Sequence, residues 1–386
     1  MIADTGAVEN QECPLCFGAG LTDLPDPWRG ESLLSDLRTT TKRLGRAACA
    51  RCGLVRRRFI PSSQAQRAIF GDDYSLFVQQ PTKAIRERQA RLAAWILETL
   101  DDFRFESVFE VGSGDGSLLE ALRDLVPAVT LGGIDPAPRA VTRARSRGLS
   151  VTTGFAEDIA WQRTDLCLSV NVIEHAANPM DFLRSMRRSV SPGGRILVVC
   201  PDGDVPNYEL LFYDHLYSLD SHSLASLCAR SELIAMQIRK APTSLGPFHM
   251  LVARPATEEK PQATINSPNI TLTEAKASYL RAWSCLEDIL LERVGNAERV
   301  VVFGNSDVAA LLRVYAPKLW TLVQACVVDG EPGADCFVDR PLRAYGSLPQ
   351  GSLIVLGVRP GNHEAVAGRL THDGHRVVRW DDVIAA

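Results

Sequence analysis

Several features that mark membrane, secreted or nucleic-acid-binding proteins are missing from this sequence of 386 residues. No run of about 18 apolar residues occurs, so we predict no transmembrane helix. Residues 1–11 are polar and acidic and lack the charged-then-apolar pattern of a secretion signal. The net charge of −4 argues against a polyanion-binding surface. We therefore expect a cytoplasmic protein that has a small-molecule substrate and neither a nucleic-acid nor a membrane partner.

The length and the apolar content predict more than one domain. Hydrophobic residues make up 46% of a chain that is too long for one typical domain. A charged and polar stretch with three prolines has the composition of a linker. The predicted boundaries are 1–75 and 76–254 for the first two domains, 255–272 for the linker and 273–386 for the last domain.

A glycine-rich turn between a strand and a helix organises the middle of the chain. Residues 108–111 have the pattern of a buried strand, and Gly112, Gly114 and Gly116 alternate directly after it. Such glycines let a ligand lie against bare backbone, and the helix N-terminus behind them offers unpaired N–H groups. Ser117 stands where a pyrophosphate-binding GxGxxG loop would place its last glycine. An ordinary strand-to-helix turn is the alternative.

Acidic residues flank this turn. Glu110 leads the glycines, and the next predicted strand, 129–134, ends at Asp135. Asp135 lies about one βα unit beyond the glycines, where a carboxylate can accept hydrogen bonds from both ribose hydroxyls of a nucleoside. The two acids and the glycines together predict a nucleoside site at one edge of a parallel sheet.

The GxGxG spacing led by an acid resembles the first motif of the class I S-adenosylmethionine-dependent methyltransferases. The resemblance implies a Rossmann-like α/β core and S-adenosylmethionine as the cofactor. It also implies cofactor contacts from the loops after the later strands, with Phe155 at a position where many members carry Asp. His175 in these loops could be a base or could pack on the ligand. The implied cofactor-binding residues are Glu110, Gly112, Gly114, Gly116, Asp135, Pro136, Glu157, Asp158, Asn171, Glu174 and His175.

Two CxxC pairs precede this core. Cys13 and Cys16 form the first pair, and Cys49 and Cys52 form the second. Two such turns can complete a tetrahedral Zn²⁺ site, which would be structural because four thiolates leave no open position. Free thiols or a redox pair are the alternatives.

An acid–histidine pair, Asp214-His215, follows the fifth predicted strand among aromatic residues. A four-cysteine domain, a class I core, this pair and a further α/β domain follow one another in an order that resembles the nucleotide-sugar C-methyltransferases of deoxysugar biosynthesis. The resemblance implies methylation of a carbon beside the keto group of a nucleotide-linked keto-deoxysugar. It also implies a substrate-facing Tyr74 and a C-terminal Rossmann-like domain, with Asn305, over the nucleotide-sugar cleft.

The chemistry of carbon methylation requires a base, because the carbon must lose a proton. We predict His215 as this general base, with Asp214 to orient it and Tyr213 beside it. Phe212 stands where the resembling family has a tyrosine, which leaves carbon, oxygen and nitrogen acceptors open. The alternatives are an O- or N-methyltransferase for another small metabolite and a catalytically silent protein that binds S-adenosylmethionine and zinc.

Overall fold

The N-terminal region is built from short strands and one helix. The computed structural model describes residues 7–9, 12–71, 74, 83–159, 163–257, 261, 267–297 and 300–384. Ser62 caps the helix by accepting a hydrogen bond from the Ala65 N–H at 3.2 Å. The elements are β1 Ala7–Glu9, β2 Leu21–Asp23, β3 Ser32–Leu33, β4 Thr39–Thr40, β5 Arg46–Cys49, β6 Val55–Arg57, β7 Phe59–Pro61 and α1 Ser63–Phe70.

The central region alternates strands and helices around one seven-stranded sheet. Its elements are α2 Lys83–Leu100, β8 Ser107–Val111, α3 Ser117–Leu125, β9 Thr130–Asp135, α4 Pro138–Ser146, β10 Ser150–Thr153, β11 Thr164–Val170, α5 Pro179–Ser189, β12 Val190–Pro201, β13 Tyr217–Ser218, α6 Ser221–Arg230, β14 Leu233–Lys240 and β15 Phe248–Pro255. The strand order is β10-β9-β8-β11-β12-β15-β14. The first five strands run parallel, and β15 is antiparallel to both of its neighbours. Because the chain order reverses between β8 and β11, a crevice opens where their carboxyl ends diverge.

The C-terminal region carries a second, six-stranded sheet in the order β18-β19-β17-β16-β20-β21. Five of its strands run parallel, as predicted for a Rossmann-like unit. Helix α7 starts within the predicted linker, part of which lies outside the described residues, and the domain boundaries stay a prediction. The elements are α7 Ile270–Val294, β16 Val300–Phe303, α8 Asp307–Tyr315, α9 Pro317–Leu322, β17 Val323–Val328, β18 Cys336–Phe337, β19 Arg340–Ala344, β20 Leu353–Leu356, α10 His363–His372, β21 Arg376–Val378 and α11 Asp381–Ile384.

Strand β13 joins the central region to the N-terminal one. It pairs with β6, and Tyr217 lies opposite Arg56 in the sheet β13-β6-β5-β2. The buried Arg46 of β5 donates hydrogen bonds to the carbonyls of Phe212, at 2.8 Å, and His215. The loop that carries the predicted catalytic residues is therefore held against the N-terminal sheet.

None of the helices in the described part of the chain is both long and apolar enough to span a membrane.

Candidate functional site

A cavity of about 240 Å³ lies at the carboxyl ends of β8, β9 and β11. The glycine turn, the residues after β9 and the loop after β11 form most of its wall, which helices α1 and α2 complete. Of the predicted cofactor-binding residues, those that line it are Glu110, Gly112, Asp135, Pro136, Glu157, Asn171 and His175.

The turn after β8 requires glycine at two positions. Gly112 and Gly116 have φ angles of +76° and +79°, in the left-handed region that favours glycine. A Cβ on Gly112 would lie 2.3 Å from Cγ2 of Val172, and one on Gly116 would lie 2.2 Å from Cδ1 of Leu149. Gly112 lines the cavity, whereas Gly114 and Gly116 shape the turn behind it.

Two buried carboxyl groups face the cavity. Oε2 of Glu110 has no hydrogen-bond partner among the described residues, and burial raises the pKa of Glu110 well above its usual value. Asp135 accepts hydrogen bonds from the N–H groups of Gly114, at 2.7 Å, and Ala137, at 2.9 Å. Burial nevertheless raises its pKa to about 6. Buried oxygens with spare lone pairs call for donors, and the ribose hydroxyls and the amino group of S-adenosylmethionine are donors, so this donor set fits the cofactor.

The loop after β10 carries two acids that were predicted to contact the cofactor, and they have different surroundings. Glu157 lines the cavity, whereas Asp158 does not. Asp158 accepts a hydrogen bond from the Phe155 N–H at 3.0 Å and lies 3.3 Å from a guanidinium nitrogen of Arg67. The Phe155 ring lines the cavity in its place, with the Arg67 guanidinium 4.5 Å from the ring centroid. The prediction that Asp158 faces the cofactor is therefore corrected, because its carboxylate caps the local turn.

His175 is the histidine that lines the cavity. Its Nδ1 lies 2.9 Å from the backbone carbonyl oxygen of Asp214. A carbonyl oxygen only accepts, so Nδ1 carries the hydrogen and Nε2 is left with a free lone pair. The ring of Phe70 lies 5.0 Å from the His175 ring and fixes its other side. An imidazole held in this tautomer is set up to accept a proton.

His215, predicted as the general base, lies behind His175 and does not line the cavity. The two ring centroids are 4.7 Å apart. Burial, together with the nearby His175 and Arg46, lowers the pKa of His215 well below its usual value. The Leu216 N–H donates to the Glu174 carbonyl at 2.6 Å, and this bond, with the pairing of β13, sets the ring in this position.

The acid beside His215 is Glu209 rather than the predicted Asp214. Nδ1 of His215 lies 3.2 Å from Oε2 of Glu209, whose pKa burial raises to about 8. Asp214 accepts hydrogen bonds from the N–H and the hydroxyl of Ser35 at 2.9 and 2.6 Å. Its Oδ2 lies 3.7 Å from Nδ1 of His175. The predicted Asp214–His215 pairing is wrong because Ser35, from the N-terminal region, draws the Asp214 carboxylate away.

The three remaining predicted residues, the substrate-facing Tyr74 and Asn305 and the catalytic Tyr213, lie apart from one another. Tyr74 lines the cavity, with its ring 5.5 Å from that of Phe70. Tyr213 lines a different cavity, where its ring centroid lies 3.6 Å from the guanidinium carbon of Arg57. Asn305 is exposed at the carboxyl end of β16 and lines neither cavity. The structure thus keeps Tyr74 with the cofactor residues and separates Tyr213 and Asn305 from them.

Glu174 lies beneath the two histidines. Both of its carboxylate oxygens are buried without a hydrogen-bond partner in the described part of the chain, and burial raises its pKa well above the usual value. One donor atom from each of Glu174, His175 and His215 lies within 4.8 Å of the others. This set could therefore hold a metal ion.

Helices α1 and α2 supply wall residues that the sequence motifs did not predict. Gln66 and Phe70 come from α1, and Arg88 and Gln89 come from α2. Arg88 is the only arginine or lysine among the described residues that line the cavity. The helical stripe before the glycine motif could have indicated α2, but no local signal places α1 here.

The four cysteines of the CxxC pairs converge in the N-terminal region. The Sγ atoms of Cys13 and Cys52 are 3.6 Å apart, and those of Cys16 and Cys49 are 3.5 Å apart. A tetrahedral site with Zn–S bonds of about 2.3 Å requires sulfur atoms about 3.8 Å apart. The donor set therefore fits a four-thiolate metal site.

A family comparison assigns the central region. Residues 84–235 match the family model described as "Methyltransferase domain". The match contains the glycine turn, Asp135, both histidines of the cavity region and most of the seven-stranded sheet. Residues 84–235 therefore form a methyltransferase domain.

Curated relatives resemble part of the chain. The ubiquinone biosynthesis O-methyltransferase of Cereibacter sphaeroides is 35% identical over 101 residues, which cover 24% of this chain and 39% of that protein. The enzyme of the same description from Roseobacter denitrificans is 32% identical over 112 residues, covering 27% and 44%. The chain thus spans less than half the length of these curated relatives.

Solved structures of methyltransferases are also similar. The mitomycin 7-O-methyltransferase MmcR is 20% identical, with a TM-score of 0.38, over 44% of this chain and 54% of that one. The CcbJ methyltransferase from Streptomyces caelestis is 17% identical, with a TM-score of 0.38, over 47% of this chain and 95% of that one.

Proposed function

We propose that this chain uses its methyltransferase domain to transfer a methyl group from S-adenosylmethionine to a small-molecule acceptor. The observation that carries the proposal is the pair of buried carboxyls, Glu110 and Asp135, facing one cavity beside the glycine turn. Asp135 would accept from the ribose hydroxyls and Glu110 from the amino group of the cofactor. Arg88 would bind its carboxylate as a charge-assisted pair. The cofactor supplies an electrophilic methyl group on sulfonium.

In the proposed reaction His175 accepts the proton that the acceptor loses. Its Nδ1–H is held by the Asp214 carbonyl, which keeps Nε2 free for that proton. The carboxylate of Asp214, 3.7 Å from the same Nδ1, stabilises the imidazolium that forms. Such a base typically contributes about 10²–10⁴-fold to the rate. His215 and Glu209 form the buried support behind this group.

The acceptor we propose first is a carbon beside the keto group of a nucleotide-linked keto-deoxysugar. The support is the chain-wide resemblance, together with a base that faces the cavity. Solvent-deuterium exchange tests it: the native protein should incorporate deuterium into such a keto-sugar in the absence of methyl donor, and His175→Ala should not. Absence of exchange, with a new O-methyl or N-methyl signal in the NMR spectrum of the product, would reject carbon as the acceptor.

O-methylation is the second candidate, and the cluster Glu174–His175–His215 favours it. A divalent cation on these groups would bind an acceptor hydroxyl and lower its pKa. This candidate predicts that activity depends on added Mg²⁺ or Mn²⁺ after metal depletion. Proton transfer to a metal-free His175 would require no added cation. The zinc content must be measured in the same samples, so that loss of metal from the cysteines is not mistaken for loss of a catalytic cation.

We also propose that Cys13, Cys16, Cys49 and Cys52 hold one structural Zn²⁺. The sulfur–sulfur distances and the closed four-thiolate set support this role. A metal there would fix β5 and β6, which hold the loop of residues 212–217 through Arg46 and β13.

A further inference from the structure

A second cavity, of about 600 Å³, lies in the N-terminal region beside the loop that carries Tyr213. The chain as a whole has a net charge of −4, yet the wall of this cavity holds more cations than carboxylates. Its cationic side chains are those of Lys42, Arg43, Arg46, Arg57 and Arg58, and its carboxylates are those of Asp23 and Asp26. A local excess of positive charge in an acidic protein calls for an anion.

The two carboxylates of the wall are already engaged. Asp23 forms an ion pair with Arg58 at 2.6 Å. Asp26 accepts hydrogen bonds from the backbone N–H groups of Trp28, at 3.1 Å, and Gly45, at 3.3 Å. Neither forms an ion pair with the two buried arginines of the wall in the part of the chain that the structure describes.

Among these cations, Arg57 combines burial with an incomplete set of hydrogen bonds. It is only 4% exposed, and its Nε has no hydrogen-bond partner among the described residues. Its guanidinium lies against the ring of Tyr213, 3.6 Å from the centroid. Burial lowers the pKa of Arg57, as expected for a cation removed from water. Asp214 and Asp26 favour its charge, but no carboxylate among the described residues forms an ion pair with it. A buried guanidinium without an ion pair is costly unless a ligand supplies the negative charge.

Arg46 lies beside Arg57 in the same wall. It is fully buried, and its nitrogens donate to the carbonyls of Leu210, Phe212 and His215. Burial and the positive charge of Arg57 lower the pKa of Arg46 to about 9. Two buried like charges at one cavity repel each other, and a polyvalent anion between them would relieve both costs.

Phe59 adds an aromatic face to the same cavity. It is 42% exposed and lines the wall together with the arginines. Exposed aromatic rings beside guanidinium groups stack nucleobases, and arginines bind phosphate oxygens in pairs.

We propose that this second cavity binds a nucleoside diphosphate, with the diphosphate at Arg57 and Arg46 and the base against Phe59. The proposal deepens the proposed function, because a nucleotide-linked acceptor would bring this group to the site. Tyr213 of this cavity is followed directly by Asp214, whose carbonyl holds His175 of the first cavity. A ligand anchored here would therefore be next to the loop that orients the proposed base.

Calorimetric titration of the full chain in a low-salt, phosphate-free buffer tests the site. The probes are thymidine diphosphate, uridine diphosphate and inorganic diphosphate. We expect saturable binding that weakens as KCl is added. Arg57→Met keeps the apolar stem and removes the charge, so diphosphate affinity should fall about tenfold or more. Arg29→Met is the matched control, because it removes an exposed charge of the same region that lies outside the cavity wall; it should change affinity less than about twofold.

Two further variants keep the test decisive if the Arg57 variant does not fold. Lys42 and Phe59 are exposed, so Lys42→Met and Phe59→Ala leave the core intact. Lys42→Met should weaken all three probes, whereas Phe59→Ala should weaken the two nucleotides and leave inorganic diphosphate unchanged. No saturable binding of any probe, or an unchanged affinity in the charge variants, would overturn the site. Equal binding of inorganic and nucleoside diphosphates, insensitive to Phe59→Ala, would overturn the nucleoside assignment.

S-adenosylmethionine affinity is measured on the same samples. Diphosphate binding without S-adenosylmethionine binding would count against the proposed methyl transfer and leave this cavity's assignment standing. S-adenosylmethionine binding without diphosphate binding would count against this cavity's assignment and leave the proposed methyl transfer standing. The two proposals can therefore fail separately.

Discussion

Two parallel sheets in this chain share one plan and differ at their carboxyl ends. In each, a central strand runs into a glycine, Gly112 after β8 and Gly304 after β16, and the next strand leads to an aspartate. Asp135 of the central sheet is buried at a cavity, and its pKa is raised to about 6. Asp329 of the C-terminal sheet forms an ion pair with Arg369 at 2.8 Å. The two sheets therefore share a topology, but only the aspartate of the central sheet is buried at a cavity, whereas that of the C-terminal sheet is neutralised by an arginine.

The glycines differ in the same sense. A Cβ at Gly304 would lie 2.7 Å from the Gly357 carbonyl oxygen, so this glycine lets two strand ends approach each other. Gly112 also permits a close approach, to Val172, but unlike Gly304 it lines the first cavity. In the C-terminal sheet, the glycine at the end of the central strand therefore serves the packing of the backbone.

The largest expected effect is on turnover in the central region. His175→Ala should lower kcat about 10²-fold or more and leave S-adenosylmethionine affinity nearly unchanged, because the ring accepts a proton rather than holding the cofactor. His372→Ala, an exposed histidine of the C-terminal region, is the control and should be silent in steady-state assays. A larger loss in His215→Ala than in His175→Ala would restore His215 as the base.

The next effect concerns the N-terminal region, whose described strands pair antiparallel to one another. Cys49→Ser should lower soluble yield several-fold, because a structural metal site couples to folding. Mass-spectrometric metal analysis of native protein should find about one zinc per chain, as the four thiolates require. Cys285→Ser, at an exposed cysteine, serves as the control and should leave both quantities unchanged. Metal-free protein of normal stability would reject the site.

The two aspartates give the most direct comparison between the sheets. Asp135→Ala should weaken S-adenosylmethionine binding about tenfold or more, because charge-assisted hydrogen bonds to the ribose are lost. Asp329→Ala should leave the affinity within about twofold, since it removes only a surface ion pair. Calorimetry on both variants decides, and equal effects would abolish the distinction between the two sheets.

The smallest effect is a pH dependence. Since the pKa of Asp135 is about 6 before ligand binds, lowering the pH from 7.5 to 5 protonates it and should weaken cofactor binding up to about tenfold. Asp135→Ala should flatten this part of the profile. Titrations at several pH values measure it, and a native profile with no fall below pH 6 would contradict the assignment.

The same shift has the opposite sign for stability without ligand. Folding raises the pKa of Asp135 from about 4 to about 6, so the folded state binds the proton more tightly. This group's contribution to stability is full at pH values below about 4 and is lost as the pH rises through about 6. Above pH 6 the buried charge is a cost that the cofactor's donors would offset.

The sequence predicted what depends on local pattern. The strands, the glycine turn and the position of Asp135 follow from apolar runs and spacing, and the structure has them. The surroundings of His215 could not be predicted, because Ser35, which holds Asp214, lies 179 residues away in the chain. Tyr213 faces another cavity for the same reason, since long-range contacts and not neighbouring residues orient this loop. The roles of the site residues stay predictions.

Because β13 pairs with β6, the N-terminal sheet cannot finish folding until a strand that is synthesised much later is available. Arg46 and His215 are 169 residues apart, so the N-terminal strands leave the ribosome long before their partner loop exists. Contacts of such sequence separation form late, because the entropy of closing the intervening chain must be overcome first. The glycine turn and both acids of the cofactor site are synthesised well before residue 217. A nascent or truncated chain that ends before β13 therefore contains every described residue that lines the first cavity, but it lacks the strand pairing that holds the loop of residues 212–217 against the N-terminal sheet.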